Sequence, residues 1–230
     1  MVWYDYYYFI LVVPALIISL IAQAKVKSTY AKMSRVLCSR GLTGAQAAEN
    51  VLRYYGITDV RIEQVAGSLT DHYDPRSNVI RLSEGVYQAN SVAAVGIACH
   101  EAGHAAQHAE NYKPIAVRNA VLPVANIGSA SGLWIALLGL AMNVRIMILI
   151  GIILYAFVAI FQLVTLPVEF NASSRALKVI EETNMLQGEE FQGAKKVLSA
   201  AAMTYVAALL VSIMSLLRVL LRAKGGGRRR

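Results

Sequence analysis

Residues 121–142 and 146–166 are two apolar runs without a charged side chain, separated only by Asn143-Val144-Arg145. At about 1.5 Å of rise per residue, each is long enough to cross the roughly 30 Å hydrocarbon core of a bilayer as a helix. So short a connection predicts a helical hairpin with a tight turn. Such a hairpin returns the chain beyond residue 166 to the membrane face on which residue 121 began.

Two further runs extend this pattern. Residues 9–24 are apolar, preceded by Trp3, Tyr4, Tyr6, Tyr7 and Tyr8 as in an interfacial aromatic belt. Ala22-Gln23-Ala24 has the look of a signal cleavage site, but the region before the run lacks a positive charge and carries Asp5. Lys25, Lys27, Lys32, Arg35 and Arg40 come after it. The positive-inside rule then makes it an uncleaved anchor, N-terminus outside and the next region in the cytoplasm. Residues 199–217 form a fourth uncharged run ending at Arg218; the alternatives are a helix in the interface or packed on the cytoplasmic domain, and its length reads as spanning. That reading puts Arg222, Lys224 and the tail Gly225-Gly226-Gly227-Arg228-Arg229-Arg230 outside, against the charge rule. The tail's composition is that of a flexible, lipid-seeking segment.

Of the 230 residues, 57% are hydrophobic and 16% charged, too apolar for an ordinary soluble domain. The net charge of +8 suits anionic lipid, because the basic residues flank apolar runs instead of lining one surface. The aromatic residues concentrate at the N-terminus and offer no base-stacking face, so no nucleic-acid partner is expected. The apolar runs carry no charge near mid-membrane, which disfavours a transporter. Cys38 and Cys99 are far apart and outside any C-x-x-C, so no disulfide framework is expected.

The main polar portion, 25–118, reads as helix, strand, strand, helix. Thr43 caps a helix over 44–55 that Gly56 stops. Residues 60–65 alternate as a strand, 67–74 read as a loop, and 79–82 as a second strand. Ser91 caps a helix over 92–110, which Asn111 and Pro114 end. The predicted fold is a mainly α, multi-helix integral membrane protein with a small α/β minidomain. Its parts are an anchor helix (1–24), a cytoplasmic α/β region (25–118), a transmembrane hairpin (119–168), a helical region starting at Glu169 (169–198), and a fourth apolar helix with a basic tail (199–230).

The second helix carries His100-Glu101-Ala102-Gly103-His104. Four residues turn a helix by about 400°, so the two imidazoles stand about 40° apart on one face, one turn separated. Both nitrogens then reach one tetrahedral zinc, while Glu101 projects to the side, where it touches water without joining the metal. The neighbours Ala98, Ala102, Gly103, Ala105 and Ala106 leave this face uncovered. Three candidates compete as third ligand. A metzincin extension needs glycine at 107 and histidine at 110, where this chain has Gln107 and Glu110. His108 lies about 12 Å of rise from His100 along a straight helix, too far to share one ion. Glu169, just past the third apolar run and Pro167, returns to the face of His100 through the hairpin. There it is either a solvated carboxylate at a membrane exit or the third ligand of a two-histidine, one-carboxylate set with an open fourth position, the pattern of catalytic zinc.

The stretches TDHYDPRSNVIRLS, HEAGHAAQH, VLPVANIGS, FQLVTLPVEFNASSRA and GAKKVLSAAAMTYVAA together resemble the YugP-like neutral zinc metallopeptidases of bacterial membranes. More distantly, H-E-x-x-H followed by a helical E-x-x-A resembles the gluzincins, which carry E-x-x-x-D with the aspartate holding a zinc histidine. Glu169 matches the glutamate, and Ser173 stands where the aspartate would be. The resemblance implies a gluzincin-like minidomain in a multi-pass plasma-membrane protein of bacterial type. The expected activity is zinc-dependent endopeptidase action on peptides or proteins, with one Zn2+ on His100, His104 and Glu169. Glu101 is the expected general base, and residues 78–82 the sheet edge that receives an extended substrate. Tyr205, His72 and Arg175 are candidate oxyanion donors, and Ser173 a contact to a zinc histidine. Asp71 and Asp74 suit a second cation or simple turn chemistry. The alternative from another class is a non-catalytic, metal-stabilised membrane scaffold.

Overall fold

The computed structural model describes residues 5–226. Trp3, Tyr4, Gly227 and the arginines from 228 to 230 lie outside the described residues. The elements in chain order are α1 (Tyr8–Met33), α2 (Gly44–Tyr54), β1 (Arg61–Val65), β2 (His72–Asp74), β3 (Val79–Ser83), α3 (Glu84–Tyr87), α4 (Val92–Ala109), α5 (Lys113–Met142), α6 (Arg145–Glu182) and α7 (Gly188–Gly226). Among the described residues, α1, α5, α6 and α7 are long and apolar enough to cross a membrane. The chain is a largely helical, multi-span membrane protein with a small three-stranded sheet. It divides into two compact units.

One unit gathers the described part of Met1–Gln23 with Ala116–Leu166 and Met203–Arg230. Here α5 and α6 form the expected hairpin. Asn143 closes it at φ 58°, a left-handed turn position that asparagine tolerates. Gly132, Gly139 and Gly151 let the two backbones approach closely, because a Cβ at any of them would meet the facing helix at 3.0 Å or less. At the other end of the sequence, Asp5 accepts hydrogen bonds from Arg218 Nε and Arg222 Nη1, both at 2.8 Å. Arg218 also lies 4.8 Å over the Tyr8 ring. The fourth apolar run therefore ends at the level where the first begins, as two antiparallel crossings would.

The other unit holds Ala24–Ile115 and Pro167–Ala202. The capping box of Thr43 and Gln46 starts α2, and Ser91 Oγ caps α4 by accepting from Ala94 N at 3.2 Å. Strand order is β1-β3-β2. β3 runs parallel to β1 and antiparallel to β2, and Val79, Ile80, Leu82 and Ser83 are fully buried. The expectation that residues 78–82 form a sheet edge is thus wrong: β3 is central, and the edges are β1 and β2. Nor is 67–74 a loop throughout, since β2 occupies its end. α4 is the axis of the unit. Its alanines and glycines are buried nearly all round, with α2 against one side and the glutamate-bearing stretch of α6 against another. A helix covered on several sides needs small side chains, which explains its composition.

Candidate metal centre

α4 stacks His100 and His104 one turn apart, their rings 4.7 Å between centroids and 82° inclined. α6 brings Glu169 to them. Pro167 does not end α6, which continues to Glu182 and carries Glu169 in its middle. Glu169 Oε2 lies 3.4 Å from His100 Nε2 and 3.6 Å from His104 Nε2. Ligand atoms placed tetrahedrally about 2.1 Å from one zinc stand about 3.4 Å apart. The two separations therefore fit a shared ion, and one ligand atom from each of the three residues lies within 4.8 Å of the others. Among the described residues this is the group of metal-ligating side chains so assembled.

Close helix packing makes this possible. A Cβ on Gly103 would sit 2.6 Å from the backbone oxygen of Ala172, so only glycine lets α4 approach α6 between the two histidines. Glu169 is 5% exposed, and a carboxylate so buried requires cationic partners. In the protein alone the His104 imidazole serves. Burial opposes protonation of His104, but the Glu169 hydrogen bond and the charges of Glu101 and Glu169 outweigh it and raise the His104 pKa. A divalent cation would satisfy the same charge without the proton.

The outer nitrogens are held too. Ser173 Oγ lies 3.1 Å from His100 Nδ1, and Gln107 Oε1 lies 3.0 Å from His104 Nδ1. Each contact leaves Nε2 directed at Glu169. Gln107 is fully buried. In the sequence it registers only as the residue that breaks a metzincin pattern, although its spacing of three from His104 puts it on the same face. Glu101 stays outside the ligand group. Its Oε2 accepts from Tyr73 N at 3.0 Å, so β2 orients the carboxylate.

The remaining candidates separate by their partners. His108 is exposed, tilted against the Tyr73 ring 6.0 Å away, and outside the ligand group. His72 is exposed on β2 with Nδ1 2.8 Å from the Thr70 carbonyl oxygen. Arg175 pairs with Glu110 at 2.7 Å, donates to Asn171 Oδ1 at 2.8 Å, and lies near the rings of Tyr55 and Tyr112. Tyr205 belongs to the apolar unit, on α7. Asp71 accepts from Ser83 N at 2.7 Å, and Asp74 from Ser77 Oγ at 2.7 Å and Arg76 N at 3.0 Å. Turn and strand-end chemistry accounts for both aspartates.

Four bilayer-length helices and a helix-borne two-histidine, one-glutamate centre define a membrane metallohydrolase. Over residues 8–224 the chain matches the family described as "Putative neutral zinc metallopeptidase", and it belongs to that family. It is 48% identical over 208 residues to the "Putative membrane protease YugP" of Bacillus subtilis (strain 168), covering 90% of this chain and 92% of that one. No solved structure matches the chain.

Proposed function

We propose that the protein is a zinc-dependent metalloendopeptidase of the bacterial plasma membrane, with His100, His104 and Glu169 holding one zinc and Glu101 as general base. The observation that carries this is the pair of 3.4 and 3.6 Å separations from one Glu169 oxygen to two imidazole nitrogens, the spacing of a shared tetrahedral ion. Bound there, zinc supplies Lewis acidity, polarising a carbonyl and acidifying water towards neutral pH. Glu101, aimed by the Tyr73 amide, takes the proton of the attacking water and passes it to the leaving amine. An extended peptide lies along β2, the edge strand that reaches Glu101, so strand addition selects unfolded or flexible segments of protein substrates. His72 stands as the oxyanion donor to test, while Arg175 is committed to Glu110 and Asn171. The lysines and arginines after the first span favour a cytoplasmic catalytic region.

The test is Glu101→Gln in the full chain reconstituted in nanodiscs. The variant keeps one zinc per chain, and its cleavage of an unfolded protein substrate falls about 10²–10⁴-fold. Cleavage at the parent rate refutes the general-base role. A parent that holds zinc but shows no chelator-sensitive cleavage is the metal-stabilised scaffold instead.

A further inference from the structure

The amide of Gln107 has no freedom to turn. Its Nε2 donates to the Val168 carbonyl oxygen at 2.8 Å and to Asn171 Oδ1 at 2.9 Å, which consumes both donors on α6. Its oxygen is left for His104 Nδ1 at 3.0 Å. An amide oxygen only accepts, so His104 keeps a proton on Nδ1, and Nε2, the nitrogen facing Glu169, is the one left to give up its proton and take an ion. Asn171 is fixed in the same way. Arg175 Nε donates to Asn171 Oδ1 at 2.8 Å, and an arginine has donors only. Arg175 is in turn anchored by Glu110 at 2.7 Å. Arg175 thus fixes Asn171 Oδ1 as an acceptor, which fixes Gln107 Nε2 as its second donor and leaves Gln107 Oε1 to accept from His104. His100 is treated differently: Ser173 Oγ donates or accepts equally well, so its partner leaves the tautomer open.

We infer that Gln107 is a positioning residue for the metal centre, the inner member of a hydrogen-bonded relay Glu110–Arg175–Asn171–Gln107, whose donors converge on Asn171 Oδ1, that locks His104 in its zinc-binding tautomer. The inference rests on the zinc reading proposed above. The partners that orient metal-bound histidines are commonly worth 10–100-fold in affinity, and the relay assigns that role here to a neutral amide held by the Asn171 oxygen and the Val168 carbonyl.

Zinc affinity, measured by competition with a chromophoric chelator on the full chain in nanodiscs, tests this without relying on turnover. Gln107→Met, similar in volume but only a weak acceptor towards imidazole, binds zinc about 10–100-fold more weakly. Asn171→Leu breaks the relay one step out and weakens binding in the same direction. Asn171→Asp keeps an acceptor towards both Gln107 and Arg175, and stays within about threefold of the parent. Parental affinity in Gln107→Met overturns the inference, and so does an Asn171→Asp affinity as low as that of Asn171→Leu. A residue that merely fills space would lower the melting temperature of the zinc-free protein in all three variants while leaving zinc affinity unchanged. Should Gln107→Met fail to fold, the contrast between the two Asn171 variants decides the question alone. A parent that binds no zinc sinks the metalloendopeptidase reading itself, a result distinct from any of these.

Discussion

Gly103→Ala turns the helix contact that assembles the metal centre into a quantity. At an open helix position this substitution stabilises by about 0.5–1 kcal/mol, because alanine loses less backbone freedom on folding than glycine. Here the added methyl meets the Ala172 oxygen at 2.6 Å and the Ala172 carbonyl carbon at 3.3 Å. Both are backbone atoms inside α6, so no side chain can swing away. Ordinary contact requires about 0.8 Å more room, and α6 has to retreat at the residue three places after Glu169. Overpacking of this kind costs about 1–3 kcal/mol, which exceeds the helix-propensity gain over most of its range. The centre is affected more than the fold, since ligand distances tolerate only about 0.2 Å. Zinc affinity therefore falls at least about tenfold, while the protein remains folded with a melting temperature at or below the parent's. Chelator competition and thermal melts on the same nanodisc sample read both effects. A variant that melts higher than the parent and holds zinc equally tightly would refute the close-approach argument, since that is the behaviour of an unobstructed helix position.

Removing zinc with a chelator lowers the melting temperature, because an ion at about 100 times its Kd contributes about 2.7 kcal/mol to the folded state; indifference of the melting curve to chelation would deny the ion any part in holding α4 to α6. The Asp74 carboxyl is held below the ordinary carboxylate range by Ser77 Oγ, the Arg76 amide and Arg81. A lowered folded pKa stabilises above the unfolded value near 3.9 and is lost as pH falls through the folded one. The melting temperatures of the parent and Asp74→Asn should then converge in acid, and a constant offset down to the lowest accessible pH would show that the turn does not draw on this charge.

The parts legible from the sequence are those that rest on long, repeated signals. The uncharged runs of the α5–α6 hairpin admit one local fold in a bilayer, and the four-residue spacing of His100 and His104 dictates a shared face. Glu169 was within reach for the same reason, as the hairpin returns it to the right side. The sheet was less legible because its information is short or ambiguous. His72-Tyr73-Asp74 is flanked by Asp71, Pro75 and Ser77-Asn78, so turn chemistry masks a strand too brief to show alternation. Val79–Ser83 carries no sign that a strand pairs on both sides, since which strands flank it depends on contacts between distant segments. Pro167 gives no local sign that the helix runs on, yet α6 continues through it. Gln107 and Arg175 were hard to place because a polar side chain announces its chemistry but not its partner. Arg175 reads as an oxyanion donor until Glu110, Asn171 and two aromatic rings are seen to occupy it.

The proposed activity needs one ion held by two imidazoles and one carboxylate, and X-ray absorption at the zinc edge of the loaded, nanodisc-embedded chain measures that set directly. It predicts one zinc per chain with two imidazole nitrogens at about 2.0–2.1 Å and light oxygen scatterers at about 2.0–2.2 Å, and loss of zinc from Glu169→Ala. A sulfur shell, a third imidazole, or full zinc occupancy in Glu169→Ala would contradict it.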